Sequence, residues 1–212
     1  MATLTIRTDR HRQWVEPIRI AERDDASTIQ RLLDDSGRLY QGRPAWCVAD
    51  AWGDEQSMMP SSEDFLIFEG PGGSKGCIAL WDQRSIKQVV LLGLSPSLRR
   101  LRHAINAAAF VTGRPALPPP GKQIDMAYAS HVAFGLDDET AATALIAGLC
   151  DMASRRGIRL ISIGLPGDTA VLPHLIKRFR PWISRSVIYA VAYDTALIDL
   201  DQRSVWMEIA TL

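Results

Sequence analysis

The stretch VAFGLDDETAATALIAGLCDMASRRG, Val132–Gly157, decides how the rest of the chain is read. Its first residues end an apolar strand, a short acidic turn follows, and the remainder has the spacing of a long helix closed by Gly157. A second apolar run, IRLISIGLP (Ile158–Pro166), comes directly after it. Strand, helix and strand in this order predict a β-α-β unit, whose two strands lie parallel. The first turn of such a helix favours an anion, through free backbone N–H groups and the helix dipole. Here that turn carries Asp137, Asp138 and Glu139. Asp137 can instead be the N-cap, with Leu136 and Ala141 as a hydrophobic staple.

Working outward, IDMAYASHVAF (Ile124–Phe134) is the strand that feeds this turn. DFLIFEG and KGCIALWDQR are apolar runs separated by PGGS, which predicts a hairpin. IKQVVLLGLS extends its second strand or begins another. EPIRIAERDD contains a strand around Ile18 and Ile20, and ASTIQRLLDDSGRLY a helix through Ile29, Leu32 and Leu33 that closes near Gly37. Gln41 to Glu63 reads as a loop with a short helix, and Trp46, Trp52, Met58 and Met59 make it apolar enough to wall a site or cover the core. SPSLRRLRHAINAAAFVTG is a helix with Ser95 as N-cap, Pro96 at its first position and Gly113 at its end. A stiff connector, RPALPPPGK, follows it. After the β-α-β unit come a helix in TAVLPHLIKRF, a β-rich run in RSVIYAVAYD and an edge strand in RSVWMEIATL.

The expectation is one α/β domain over residues 1–212. Its core is 17–194, with a helical, proline-rich insert at 95–121 and a C-terminal extension at 195–212. The sheet is expected to be mixed, mostly antiparallel with a central parallel pair, and flanked by helices. A composition of 47% hydrophobic and 23% charged residues argues against disorder, and a net charge of zero argues against bulk attraction to nucleic acid or to a membrane surface. Cys47, Cys77 and Cys150 lack C-x-x-C spacing, so neither a disulfide framework nor a metal site is expected. The charged start MATLTIRTDRHRQW lacks an apolar core, so a secretory leader is not expected, and the expected compartment is the cytoplasm.

Three stretches resemble the GCN5-related N-acetyltransferase (GNAT) superfamily over roughly Pro17 to Asp194. They are IRIAERDDASTIQRLL as first strand and helix, FLIFEGPGGSKGCIALWD as hairpin, and HVAF…ASRRGIRLISIGL as central β-α-β unit. WDQRSIKQ (Trp81–Gln88) is also similar to a segment of GNAT-like domains of unassigned role. The resemblance implies a GNAT-like acyl-CoA N-acyltransferase fold with a helical insert before the central strand. It implies acetyl-CoA or another acyl-CoA as cosubstrate and a small-molecule or peptide amine as acceptor. It also admits a second reading, a catalytically inactive binding or oligomerisation module, working as a homodimer.

Carried onto this sequence, the cofactor loop falls on Asp137–Ala142. Asp137 takes the family's basic position and Thr140 its first glycine, and Ala142 keeps the small last residue. Thr140, Ala141 and Ala142 are thus the diphosphate candidates, and the backbone of Val132, Ala133 and Phe134 the candidate for the thioester oxygen. The helix TAVLPHLIKRF lacks the family's tyrosine acid and offers His174, while Tyr189 and Tyr193 of the next strand are read as packing residues.

From the residues alone, Asp125 and His131 alternate onto one face of their strand, opposite Tyr128 and Ser130, and are the candidate bases; the alternatives are a half-buried His131 satisfied by a backbone carbonyl and an Asp125 that ends the strand in solvent. Asp82, Gln83, Arg84 and Lys87 of WDQRSIKQ are the candidate substrate-binding group. On the inserted helix Arg99, Arg100, Arg102 and His103 form either a solvated face, with Leu98, Leu101 and Ile105 inward, or a lid over CoA phosphates. Cys47 and Cys150 are read as buried small hydrophobes.

Overall fold

The computed structural model describes residues 1–9, 17–53, 58–73, 75–112, 115–189 and 201–212. In chain order these form β1 (Ala2–Arg7), β2 (Ile18–Ile20), α1 (Ala26–Leu39), α2 (Val48–Gly53), β3 (Phe65–Glu69), β4 (Lys75–Trp81) and α3 (Pro96–Thr112). They continue with β5 (Met126–Ala133), α4 (Glu139–Arg155), β6 (Leu160–Leu165), α5 (Val171–Phe179) and β7 (Trp182–Arg185). All the strands join one mixed sheet of order β2-β3-β4-β5-β6-β1-β7. β5 and β6 are its parallel pair, and the other neighbours run antiparallel. The hairpin is β3–β4, in register from Phe65↔Ala79 to Glu69↔Lys75.

Helix α4 holds the sheet together. From Ala141 to Ala153 nearly every residue is buried, because the helix lies across β3, β4 and β6 with α5 against its side. Its small side chains allow that approach. A Cβ on Gly148 would stand 2.3 Å from Ile18 Cδ1 and 3.1 Å from Leu66 Cδ1. A second apolar layer on the opposite face collects Ile29 and Leu33 of α1 with Phe65, Ile67, Cys77, Ala79 and Ala133.

Several expectations are corrected. A strand lies ahead of the first one read: Ala2, Leu4 and Ile6 are buried, and β1 pairs with β6 from Ala2↔Leu165 to Arg7↔Leu160. IKQVVLLGLS forms no strand, only an isolated bridge between Val90 and Gln123. In α3 only Ala109 is buried, and Leu98 and Leu101 are exposed rather than inward. Residues Ser186 to Tyr189 of the β-rich run lie outside any strand, Tyr189 is exposed rather than packed, and Tyr193 lies outside the described residues. Cys47 is exposed rather than buried, Cys150 is buried as expected, and Cys77 is buried as well.

The largest correction concerns the last segment. VWMEIATL is not an edge strand. Ser204–Leu212 turns inward, with Trp206, Glu208, Ile209 and Ala210 buried and only a short 3₁₀ turn at Ile209–Thr211. No helix among the described residues is long and apolar enough to cross a membrane.

Candidate functional site

Two features of β5 create the site. First, β5 and β6 pair only over Met126↔Leu160, Ala127↔Ile161 and Tyr128↔Ser162. Beyond that point β6 stays with β1 and β5 stays with β4, so the parallel strands separate. Second, the β4–β5 register slips between Ala79↔Ser130 and Cys77↔Ala133, with His131 at φ 50°. This bulge inserts one residue and reverses the alternation beyond it. It puts His131 in the left-handed region, which residues other than glycine adopt only uncommonly.

The bulge overturns the expected pairing of Asp125 with His131. The His131 ring lies 3.9 Å from that of Trp46, stacked, and 5.1 Å from that of Phe65. Its Nδ1 is 3.0 Å from Ser130 Oγ, although Ser130 was assigned the opposite face. Burial, helped by the Arg43 charge, pushes its pKa down to about 3, so the ring is neutral. Asp125, six residues back and about 20 Å away along an extended strand, pairs with Arg84 at 2.5 Å. Arg84 also holds Asp82 at 2.8 Å, which pulls the Asp82 carboxyl below its usual range. A cavity of about 560 Å³ opens beside this triad, lined by Asp82, Arg84, Ser85, Gln123 and Asp125.

The gap between β5 and β6 is filled by the chain's own last segment. The Trp206 indole Nε1 donates to Gly164 O of β6 at 2.9 Å. Its ring meets Tyr40 edge-on at 5.1 Å and lies under the Arg43 guanidinium at 4.3 Å. Ile209 occupies the space above Gly164, where a Cβ would stand 2.5 Å from Ile209 Cγ2. On the β5 side, Arg43 donates to Val132 O and faces Glu208 Oε2 at 3.6 Å, with side chains 3% and 2% exposed. The N–H groups of Val132 and His131 are close enough to Glu208 to lower its pKa, but burial prevails and raises it to about 7. Burial likewise pulls Arg43 below its ordinary value.

WDQRSIKQ takes part, though not with a foreign ligand. Gln83 donates to Ala210 O at 2.8 Å, and Lys87 to Leu212 O at 3.0 Å while lying over the Tyr128 ring. Gln41, on the other flank, donates through Nε2 to Asp201 O at 2.7 Å and Arg203 O at 2.9 Å. Its backbone bonds Ser204 O and the Trp206 N–H. The adjoining Gly42 sits at φ 75°, and a Cβ there would meet Met207 Sδ at 2.4 Å. Gln41, Arg43, Trp206 and Glu208 were missed in the sequence. Polar residues in a stretch without periodicity carry no local sign of burial, and only Trp206 marks the last segment as core-seeking.

At the other candidate region, the N-cap of α4 is Asp138 rather than Asp137. Its Oδ1 accepts from the Ala141 N–H at 2.9 Å. Ala141 and Ala142 are buried and Thr140 is exposed. His174 sits beside this turn, with Nδ1 3.0 Å from Glu139 Oε2 and Nε2 3.1 Å from Thr143 Oγ1. Asp138→Ala is expected to cost about 1 kcal/mol through loss of the cap, measured by urea unfolding. Arg99, Arg100 and His103 are exposed on α3, and Arg102 donates to Leu117 O.

The buried titratable groups predict a two-sided pH response. Glu208 moves from an ordinary 4.5 to about 7 on folding, so the native chain holds the extra proton between those values. Its contribution is present below about pH 4.5 and is lost as pH rises through 7. His131 does the opposite: its contribution is present above pH 6.5 and is lost as pH falls toward 3. Between about pH 4.5 and 6.5 the two trends offset each other in the parent, so the Glu208 loss shows only between 6.5 and 7; in Glu208→Gln it disappears, and stability should rise with pH from 5 to 6.5 and then level off. Urea midpoints across that range measure this directly.

No protein-family model matches this chain, and no curated protein sequence matches it.

Proposed function

We propose that the chain is an acyltransferase of the GNAT type, passing an acetyl or other acyl group from acyl-CoA to an amine of a small molecule or peptide. One observation carries this reading. β5 leaves its parallel partner after Tyr128, bulges at His131, and turns the N–H groups of His131 and Val132 toward a carboxylate oxygen that belongs to neither strand. Backbone donors in a desolvated gap, fixed by a bulge, suit the oxygen of a thioester as charge develops on it. In this assignment the backbone of Val132, Ala133 and Phe134 lines the acyl end. The first turn of α4, at Thr140, Ala141 and Ala142, lies toward the diphosphate.

The amine nitrogen attacks the thioester carbon, the C–S bond breaks, the amine proton passes to a base, and the thiolate takes a proton from water. His131 is the base assigned here, being on the same bulge as the donors. Asp125, bound to Arg84, is not brought near it, and belongs with Asp82, Gln83, Arg84 and Lys87 to the acceptor side.

The second reading is a module of the same architecture that has lost catalysis, acting as a homodimer. The start of α4 favours it. Asp138 already seals the Ala141 N–H, and Asp137 and Glu139 place negative charge where a diphosphate would sit. Thermal unfolding separates the two readings. Acetyl-CoA at ~100 times its dissociation constant should add about 2.7 kcal/mol, or roughly 5–10 °C. Absence of any shift at millimolar acetyl-CoA, in the parent and in Glu208→Ala alike, would leave the module reading in its place.

A further inference from the structure

The site is already occupied by a peptide. Along Asp201–Leu212 the protein binds mostly main-chain atoms: Gln41 takes the carbonyls of Asp201, Arg203 and Ser204, Gln83 that of Ala210, and Lys87 that of Leu212. Four side chains are buried, Trp206, Glu208, Ile209 and Ala210, and the first two make the polar and aromatic contacts. The Trp206 ring lies among Tyr40, Phe134 and Arg43, and the Glu208 carboxylate lies beside the N–H groups of the bulge. Main-chain contacts for adhesion and a few side-chain seats for specificity are how proteins hold extended peptides.

The fit of this segment is incomplete in one place. Arg43 Nη1 and Glu208 Oε2 are buried with no hydrogen-bond partner among the described residues, at 3.6 Å from each other. Buried polar atoms are nearly always satisfied, and an exception calls for an explanation. The segment also adds little regular structure: one isolated bridge, Gln41↔Val205, and a single 3₁₀ turn.

We propose that Ser204–Leu212 is a displaceable internal ligand of the cleft between β5 and β6, which excludes acyl-CoA by placing the Glu208 carboxylate in the seat of the thioester oxygen. The groove it fills is a peptide site, taking an extended segment with a tryptophan and a glutamate two residues apart. The competition with acyl-CoA rests on the acyl-transfer reading. The peptide site does not.

The test uses the full chain, Glu208→Ala, which empties the seat beside the bulge N–H groups, and Gln41→Ala as a second variant that loosens the segment from outside the buried pair. Acetyl-CoA is titrated by calorimetry, and a fluorescent peptide of residues 201–212 by anisotropy. Circular dichroism confirms folding. If the closed form limits access, each variant binds acetyl-CoA about tenfold or more tighter than the parent, and excess peptide reverses the gain. Equal acetyl-CoA affinity in all three chains would overturn the competition while leaving acyl-CoA binding standing. Peptide binding without acetyl-CoA binding in the variants would uphold the peptide site and sink the acyl-transfer reading. If neither binds, and the amides of 204–212 exchange as slowly as those of β6 in both variants, the segment is permanent core and the inference fails.

Discussion

Trp206→Ala is expected to lower stability by about 3–5 kcal/mol, the range for emptying a buried aromatic site. The indole is fully buried in the main apolar core, its N–H satisfies the Gly164 carbonyl, and its ring lies under the Arg43 guanidinium. Truncation would strand that carbonyl in the gap left by the diverging strands and remove the apolar wall of the groove. Guanidinium unfolding with intact far-UV dichroism measures the loss. A cost under about 1 kcal/mol would mean that the segment hardly contributes to the fold.

Arg43→Met should be the other large effect, and it should depend on pH. Breaking a buried ion pair by removing one partner typically costs about 3–5 kcal/mol, because a charge is left without compensation. Glu208 has an escape, since it can take up a proton. Its pKa near 7 is already raised by burial, and removing the neighbouring cation drives it higher. The variant should therefore lose most stability near pH 8 and least near pH 5.5. Arg43→Met with Glu208→Gln should be less damaging than the sum of the single changes, as expected for residues in direct contact. Additive losses would show that the pair acts through separate partners.

Much of the scaffold was legible because two periodicities speak for themselves. The apolar run of α4 and the strands on either side predicted the parallel pair, and PGGS between DFLIFEG and KGCIALWDQR predicted the hairpin. β1 was missed although Ala2, Leu4 and Ile6 alternate with Thr3, Thr5 and Arg7. Its pattern is short and runs into the charged DRHRQW, and it becomes a strand only because β6 and β7 offer it two edges. The bulge at His131 was illegible for another reason. No glycine marks it, so strict alternation carried His131 to the same face as Asp125. The placement of Ser204–Leu212 depends on a gap between two strands more than forty residues away, and no local pattern encodes that. α3 failed in the opposite sense: its amphipathic spacing promised a buried stripe, yet Leu98, Leu101 and Phe110 stay exposed.

The most direct test of the account is the backbone ¹H–¹⁵N signals of His131 and Val132 in Glu208→Ala, titrated with acetyl-CoA. If these amides form the seat of the thioester oxygen, both signals should move together and saturate with the affinity found by calorimetry. Signals that stay fixed while acetyl-CoA binds elsewhere, or at no site, would contradict the claim that this gap is an acyl-transfer cleft closed by the chain's own segment.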